Sequence, residues 1–160
     1  MTEPDTAGAR LVTATWAVTA VFAVVAVAAV IATDALGPTV VVVSLAAFGL
    51  GLVAFTVALV TAAARSRREE LSVAGLFFLS GSAPARVRRL LLGALATQTV
   101  VALATAGLRP FTALAFGILV PTSGLGACGL WAARHGSFPP RSGVGAPIRG
   151  AATPRPPDGP

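Results

Sequence analysis

The side chains of this chain that could do chemistry are few and lie far apart. Cys128 is the single cysteine and His135 the single histidine. A lone thiol forms neither an intrachain disulfide nor a dithiol redox pair, and a lone histidine without cysteine or carboxylate neighbours is a poor metal site. We therefore expect Cys128 to be a packing residue and His135 an interfacial polar residue, with no cofactor and no metal.

A glycine pattern in the last apolar stretch is the closest match to a known binding motif. Residues 124–129 read Gly-Leu-Gly-Ala-Cys-Gly, and the next acidic residue is Asp158. The dinucleotide-binding loop with this spacing works only where a strand enters a helix, with an acid about 20 residues later. Small residues also let membrane helices approach closely. The pattern therefore predicts helix packing at Gly124, Gly126 and Gly129.

Gln98 is the only long polar side chain in the apolar part of the sequence. A polar side chain at membrane depth usually makes a hydrogen bond to a neighbouring helix. Thr15 and Thr19 lie one helical turn apart in the first apolar stretch and are the predicted partners. A contact with a transported solute is the alternative interpretation of Gln98.

Pro121 falls near the middle of the last apolar stretch. Proline removes one helix hydrogen bond and usually kinks the helix, and membrane helices tolerate this when hydroxyl groups satisfy the freed carbonyl. We predict a simple kink at Pro121. A hinge or a broken helix that lines a cavity is the alternative.

Composition places these residues in a membrane protein. Hydrophobic residues make up 55% of the 160 residues, charged residues only 11%, and the mean hydropathy is +0.82. A soluble domain carries about 25% charged residues, and a membrane span needs about 20 apolar ones. The predicted fold is an all-α bundle of four transmembrane helices, at about residues 11–33, 39–63, 87–106 and 111–131.

The arginines predict the orientation of this bundle. The net charge is +6 and lysine is absent. If the spans alternate in direction, every arginine except Arg109 lies on one side, and positive residues near span ends are retained in the cytoplasm. We therefore expect a plasma-membrane protein with both termini in the cytoplasm. Arginines that flank spans attract anionic lipid head groups, whereas a nucleic-acid site would need a continuous basic surface with stacking aromatics. No nucleic acid is expected.

Two turn motifs predict that the bundle consists of two tight helical hairpins. Gly37-Pro38 follows the first span and Leu108-Arg109-Pro110 follows the third. Glycine caps helix ends and proline suits the start of the next helix. The tripeptide Ala-Phe-Gly follows each turn, at 47–49 and 115–117, which leaves open whether one hairpin is a duplicate of the other.

Three segments lie outside the predicted spans. Residues 1–10 form a short cytoplasmic lead, and residues 64–86 form a cytoplasmic linker. The apolar part of this linker, 71–79, is too short to span a membrane and is expected either at the interface or packed back on the bundle. Residues 135–160 are rich in glycine, proline and arginine, which predicts a disordered tail.

Three stretches between Arg65 and Arg141 carry a family resemblance. They read RSRREELSVAGLFFLSGSAPARVRR, RPFTALAFGILVP and GLWAARHGSFPPR. They resemble a group of small actinobacterial membrane proteins with four spans, and the similarity covers about half of the chain. The group has no established activity, so the resemblance implies the class and the plasma membrane but no site.

The absence of buried chemistry shapes the functional hypothesis. The apolar spans contain no Asp, Glu, Lys, Arg or His within their hydrocarbon part, and ion-coupled carriers usually need such groups. We expect no enzyme but an accessory or scaffold subunit that contacts a membrane-protein partner or another copy of itself. The alternative is a small oligomeric transporter or channel for an uncharged or hydrophobic solute. The candidate head-group or partner contacts are Arg65, Arg67, Arg68, Arg86, Arg88, Arg89, Arg134 and Arg141.

Overall fold

The computed structural model describes residues 6–140 of the chain. This part is all-helical, and four of its helical segments are long and apolar enough to cross a membrane, which confirms the predicted fold class. No strand occurs among the described residues. In chain order the elements are α1 (Thr6–Ile31), α2 (Thr33–Arg65), α3 (Val73–Phe77), α4 (Ala85–Leu108), a 3₁₀ helix (Ala113–Leu119) and α5 (Pro121–His135).

Side-chain contacts define how the spans are arranged. α1 and α2 are antiparallel, since Ala29 packs near Val40 and Phe22 packs near Ala47. α1 runs parallel to α4, and α2 runs parallel to the last span, so the two hairpins lie side by side. The last span is the most enclosed: 44% of its most apolar window is buried, against 22–28% for the other three. α5 is therefore the central helix of the bundle.

The first hairpin turn lies earlier than the sequence predicted. α1 ends at Ile31 and α2 begins at Thr33, so the chain turns at Ala32, and Gly37 and Pro38 lie inside α2. Pro38 is the sixth residue of α2, and its missing N–H leaves the helical ladder one hydrogen bond short. Gly37 is buried, and a Cβ there would lie 3.2 Å from the Ala113 Cβ. The prediction of a turn at Gly37-Pro38 is wrong, because this glycine serves close packing.

The second turn lies where it was predicted. α4 ends at Leu108, with Arg109 as its cap, and Phe111 has a positive φ of 62° before the 3₁₀ helix begins. The Arg109 Nε donates a hydrogen bond of 3.2 Å to the Val30 carbonyl oxygen and so ties this turn to the end of α1.

The two Ala-Phe-Gly tripeptides do not occupy equivalent places. Ala47 is buried and Gly49 is exposed, whereas Ala115 is exposed and Gly117 is buried against the Phe22 ring. The matching letters therefore face opposite surroundings in the two hairpins.

The last span changes its helix type at Pro121, the residue where the sequence predicted a simple kink. Residues 113–119 form a 3₁₀ helix and α5 begins at Pro121. Proline has no N–H to continue the helical ladder. The Gly117 carbonyl oxygen instead accepts a hydrogen bond of 3.0 Å from the Val120 N–H, one residue earlier. The span therefore contains the amino end of a helix within the predicted hydrocarbon region.

One end of the bundle carries all of the described arginines except Arg109. The amino ends of α1 and α4 and the carboxyl ends of α2 and α5 meet there. We call it the arginine-rich end. α2 has 33 residues, about 50 Å at 1.5 Å per residue, which exceeds the roughly 30 Å of bilayer hydrocarbon. It is long enough to extend past the hydrocarbon.

The apolar linker segment, 71–79, packs back on the bundle. Ser72 caps α3 by accepting a hydrogen bond of 2.9 Å from the Gly75 N–H. Phe77 stacks on Phe55 of α2, with ring centroids 4.9 Å apart. Leu79 has a positive φ of 52° and is fully buried, so packing holds this unfavourable backbone conformation.

The first residues of the predicted tail also have defined contacts. The Ser137 N–H donates to the Ser82 carbonyl oxygen at 3.1 Å, and the Pro139 carbonyl oxygen accepts from the Glu70 N–H at 2.9 Å. The prediction of disorder from residue 135 onward is therefore wrong for 135–140. The rest of that prediction, 141–160, lies outside the described residues.

Candidate functional site

Gln98 joins three helical segments in the middle of the bundle. Its side chain is fully buried. The amide Nε2 donates a hydrogen bond of 2.8 Å to the Thr19 Oγ1 on α1. The amide Oε1 accepts from the Gly124 N–H at 3.2 Å and from the Ser123 hydroxyl at 3.4 Å. The predicted interhelical hydrogen bond to Thr19 is present.

The contact with α5 has a specific role that the sequence did not reveal. Gly124 is the fourth residue of α5, and the first four N–H groups of a helix have no partner within it. The Gln98 oxygen satisfies one of them from a neighbouring helix. Gln98 therefore acts as a cap for a helix that begins inside the membrane region, where water is not available to do so.

Thr15, the other predicted partner of Gln98, bonds elsewhere. Its hydroxyl donates to the Leu11 carbonyl oxygen of its own helix at 2.8 Å. Thr19 likewise donates to the Thr15 carbonyl oxygen at 2.8 Å, so its oxygen is left to accept from Gln98. Within-helix bonding of this kind satisfies a threonine without a partner helix.

The three glycines of the GxGxxG pattern each meet a different neighbour. A Cβ on Gly124 would lie 2.7 Å from the Gln98 Oε1 on α4. A Cβ on Gly126 would lie 3.2 Å from the Ala54 Cβ on α2, and one on Gly129 would lie 2.7 Å from the Phe77 ring of α3. The spacing thus lets α5 approach several elements at once, and it lies within a helix rather than after a strand.

Arg65 forms the polar contact at the other end of α5. Its Nη2 pairs with the Glu69 carboxylate at 2.7 Å. Its guanidinium also donates to the Ala133 carbonyl oxygen at 2.8 Å and to the Gly136 carbonyl oxygen at 3.0 Å. These are carbonyl groups at the carboxyl end of α5, which lack helical partners and carry partial negative charge. Arg65 therefore caps α5 within the molecule.

Other predicted arginines differ from Arg65 because their side chains point outward. Within residues 6–140 they are exposed and form no ion pair. Arg141 lies outside the described residues. The exposed arginines of the arginine-rich end are Arg10, Arg67, Arg68, Arg86, Arg88, Arg89 and Arg134.

Sequence reasoning did not identify Phe138 and Ser82 as contacts at this end. The Phe138 ring lies beneath the Arg65 guanidinium, 5.4 Å from its carbon to the ring centroid. A Cβ on Gly75 would approach that ring to 3.0 Å, and the Ser82 hydroxyl donates to the Gly75 carbonyl oxygen. The isolated glycine in an apolar run was the available signal, because it indicates a close approach.

A hollow of about 350 Å³ lies on the outer side of this end. It is bounded by Glu70, Ser72, Ser80, Ser137 and Phe138. Its lining mixes serine hydroxyls with apolar surface, which suits contact with another protein segment.

The remaining sequence candidates, Cys128 and His135, lie within α5 and pack against its neighbours. Cys128 is buried with Leu79, Leu91 and Trp131. The His135 ring stacks on the Trp131 indole, with centroids 5.6 Å apart. Both residues therefore contribute to packing at the arginine-rich end.

Comparison with family models, with curated proteins and with solved structures finds no match to this chain. The resemblance to actinobacterial four-span proteins therefore stays a prediction.

Proposed function

We propose that this multi-pass membrane protein is a non-enzymatic accessory or scaffold subunit whose arginine-rich end contacts a partner. The carrying observation is the outward orientation of Arg67, Arg86, Arg88, Arg89 and Arg134 around one folded surface. Complementary charge favours the encounter and orientation of a partner. An acidic surface of a second membrane protein meets this requirement.

The middle of the bundle supports the same proposal. Both polar atoms of the Gln98 amide are bonded to the protein, and the side chain has no exposed surface. A solute path through the bundle would need that group to be reachable. A bundle that is closed around Gln98 instead suits a role carried by its outer surface.

We further propose that the arginine-rich end faces the cytoplasm and that the membrane is the plasma membrane. The proposal rests on the retention of positive residues inside the cell. Cys128 is the single cysteine and Arg67 is exposed. A Cys128→Ser, Arg67→Cys variant therefore carries one thiol, at an accessible position. A membrane-impermeant maleimide should label it in inverted vesicles and not in intact cells; the reverse pattern would refute this orientation.

The docking proposal is tested by quantitative purification from native membranes in mild detergent. We expect a stoichiometric partner with the wild-type chain. The triple variant Arg86→Gln, Arg88→Gln, Arg89→Gln should lose that partner while its abundance in the membrane is unchanged. Arg109→Gln, at the opposite end, is the matched control and should keep it. Equal recovery from all three chains, or no partner at all, would refute the proposal.

One observation favours a second function, transport of an uncharged solute. α5 begins inside the span, and broken helices line the substrate sites of many transporters. Here the Gln98 amide oxygen already accepts a hydrogen bond from the Gly124 N–H of that helix end. If the protein transports, a Gln98→Ala variant in liposomes should change the flux of a neutral solute. If liposomes with the wild-type chain and with the Gln98→Ala variant both show the flux of empty liposomes, the result would argue against transport and favour the accessory function.

A further inference from the structure

A groove at the arginine-rich end has the chemistry of a lipid site. It lies between the amino ends of α1 and α4, with a volume of about 520 Å³, within the range of small-molecule pockets. Its walls are formed by Gly8 and Val12 of α1, by Pro84 just before α4, by Arg86 and Leu90 of α4, and by Trp131 of α5. Most of this surface is apolar, and Arg86 is the one charged side chain among the described residues that line it.

The amino end of α4 contributes further positive character to this groove. The first hydrogen bond of α4 runs from the Arg88 N–H to the Pro84 carbonyl oxygen at 3.0 Å, so the N–H groups of residues 85–87 precede it. Among residues 6–140 no side chain caps this end, and its first turn contains no acid. An uncapped helix start attracts negative charge. The nearby Arg88 and Arg89 add to that attraction.

Trp131 lines this groove and carries an unpaired donor. Its side chain is 6% exposed, and the indole Nε1 has no hydrogen-bond partner among the described residues. A buried donor without a partner costs free energy. The polar side of the groove therefore consists of the Arg86 guanidinium and the α4 N–H groups. An occupant must bring acceptors and negative charge.

We propose that this groove binds one phospholipid with an anionic head group. Arg86 and the amino end of α4 hold the phosphate, and an acyl chain lies along Val12 and Leu90. A phospholipid fits better than a free phosphate because most of the groove wall is apolar. The site shares Arg86 with the docking surface but needs no protein partner, so lipid binding is tested on the purified chain alone.

Tryptophan fluorescence tests this proposal on the purified full-length chain. The chain has two tryptophans, and a Trp16→Phe variant leaves Trp131 as the reporter beside the groove. In nanodiscs of phosphatidylcholine, small additions of phosphatidylglycerol with brominated acyl chains should quench Trp131 and saturate. Brominated phosphatidylcholine should quench only in proportion to its amount. Equal, unsaturated quenching by both lipids would overturn the proposal.

Variants distinguish binding in the groove from general attraction to the surface. Arg86→Gln should weaken the saturable quenching about fivefold, as expected for one arginine near a lipid head group. Arg67→Gln is the matched control, because Arg67 is exposed at the same end but outside the groove. Leu90→Phe narrows the groove without changing its charge and should also weaken the saturable quenching. No difference among these variants would overturn the proposal.

Two other occupants are separated by the same measurement. If soluble glycerol phosphate reversed the quenching as well as unlabelled phosphatidylglycerol does, a free phosphate compound would be the ligand. Glu3 and Asp5 precede α1 in the sequence. If saturable quenching appeared only in a Glu3→Gln, Asp5→Asn variant, the chain's own acids would fill the groove. Either result would refute the lipid assignment.

Discussion

The two ends of α5 receive their missing hydrogen bonds from different kinds of side chain. At the amino end, the neutral amide of Gln98 accepts from the Gly124 N–H at 3.2 Å. At the carboxyl end, the charged guanidinium of Arg65 donates to the Ala133 and Gly136 carbonyl oxygens. Gln98 is fully buried, whereas the Arg65 side chain is 26% exposed.

Depth in the membrane explains this difference. A charge in hydrocarbon is costly, so a cap in the middle of the bundle must be neutral. Near the end of the bundle, water and head groups solvate part of a guanidinium, which can then add an ion pair with Glu69. Salt screens exposed charges far more than buried ones. The amino-end contact should therefore be insensitive to salt, and the carboxyl-end contact should weaken with it.

The largest effect is expected from Gly124→Ala. The new Cβ would lie 2.7 Å from the Gln98 Oε1 and 3.1 Å from the Leu95 Cα, so both the amide and α4 must move. We expect the free energy of unfolding to fall by about 2–3 kcal/mol, as for overpacked cores. Titration with dodecyl sulfate in mixed micelles measures it. Gly49→Ala, whose Cβ would meet nothing within 4 Å, is the control; equal losses would argue against close approach at Gly124.

Gln98→Leu removes the amino-end cap while it preserves most of the side-chain volume. It leaves the Gly124 N–H without this acceptor, so we expect a loss of about 1–2 kcal/mol. The loss should be the same at low and high salt. Thr97→Val is the neighbouring control, since the Thr97 hydroxyl bonds to the Gly93 carbonyl oxygen of its own helix. A strong salt dependence for Gln98→Leu would contradict the comparison.

Arg65→Gln removes the carboxyl-end cap. Because this site is partly exposed, we expect only about 1 kcal/mol at low salt, and less as salt rises. Arg67→Gln changes the same charge without the same hydrogen bonds and should have little effect. If both variants lost equal stability, net charge rather than capping would explain the result.

Pro121→Ala should have the smallest effect. Pro121 is the first residue of α5, where proline is well tolerated. Replacing it adds freedom to the unfolded chain, and we expect a loss below about 1 kcal/mol. A clear gain in stability would instead indicate that the proline interrupts a helix that would otherwise be continuous.

The sequence predicted the fold class and one half of the central contact. Long apolar runs indicated four spans, and the isolated Gln98 with Thr19 indicated an interhelical hydrogen bond. Thr15 and Thr19 were equivalent in the sequence, and only Thr19 bonds to Gln98. The choice depends on how the helices rotate against each other, and local patterns do not contain that information.

Glycine and proline show the same limit. Gly37-Pro38 has the composition of a turn, yet both residues lie in α2 because Gly37 packs against Ala113. A proline within an apolar run predicts a kink at Pro121. In the structure Pro121 is the first residue of α5, and the Gly124 N–H of that helix bonds to Gln98. In both cases a neighbouring segment from far along the chain decides the outcome.

By itself, then, the sequence determined that this is a four-span membrane protein with its arginines gathered at one end. Hydropathy and span length are local properties, so they can be read without knowing any contact. The tertiary structure decided that α5 lies at the centre, that residues 71–79 and 135–140 cover its end, and that Gln98 and Arg65 cap it. Those outcomes require helices to be brought side by side, where each unsatisfied backbone group finds whichever partner the packing places nearest.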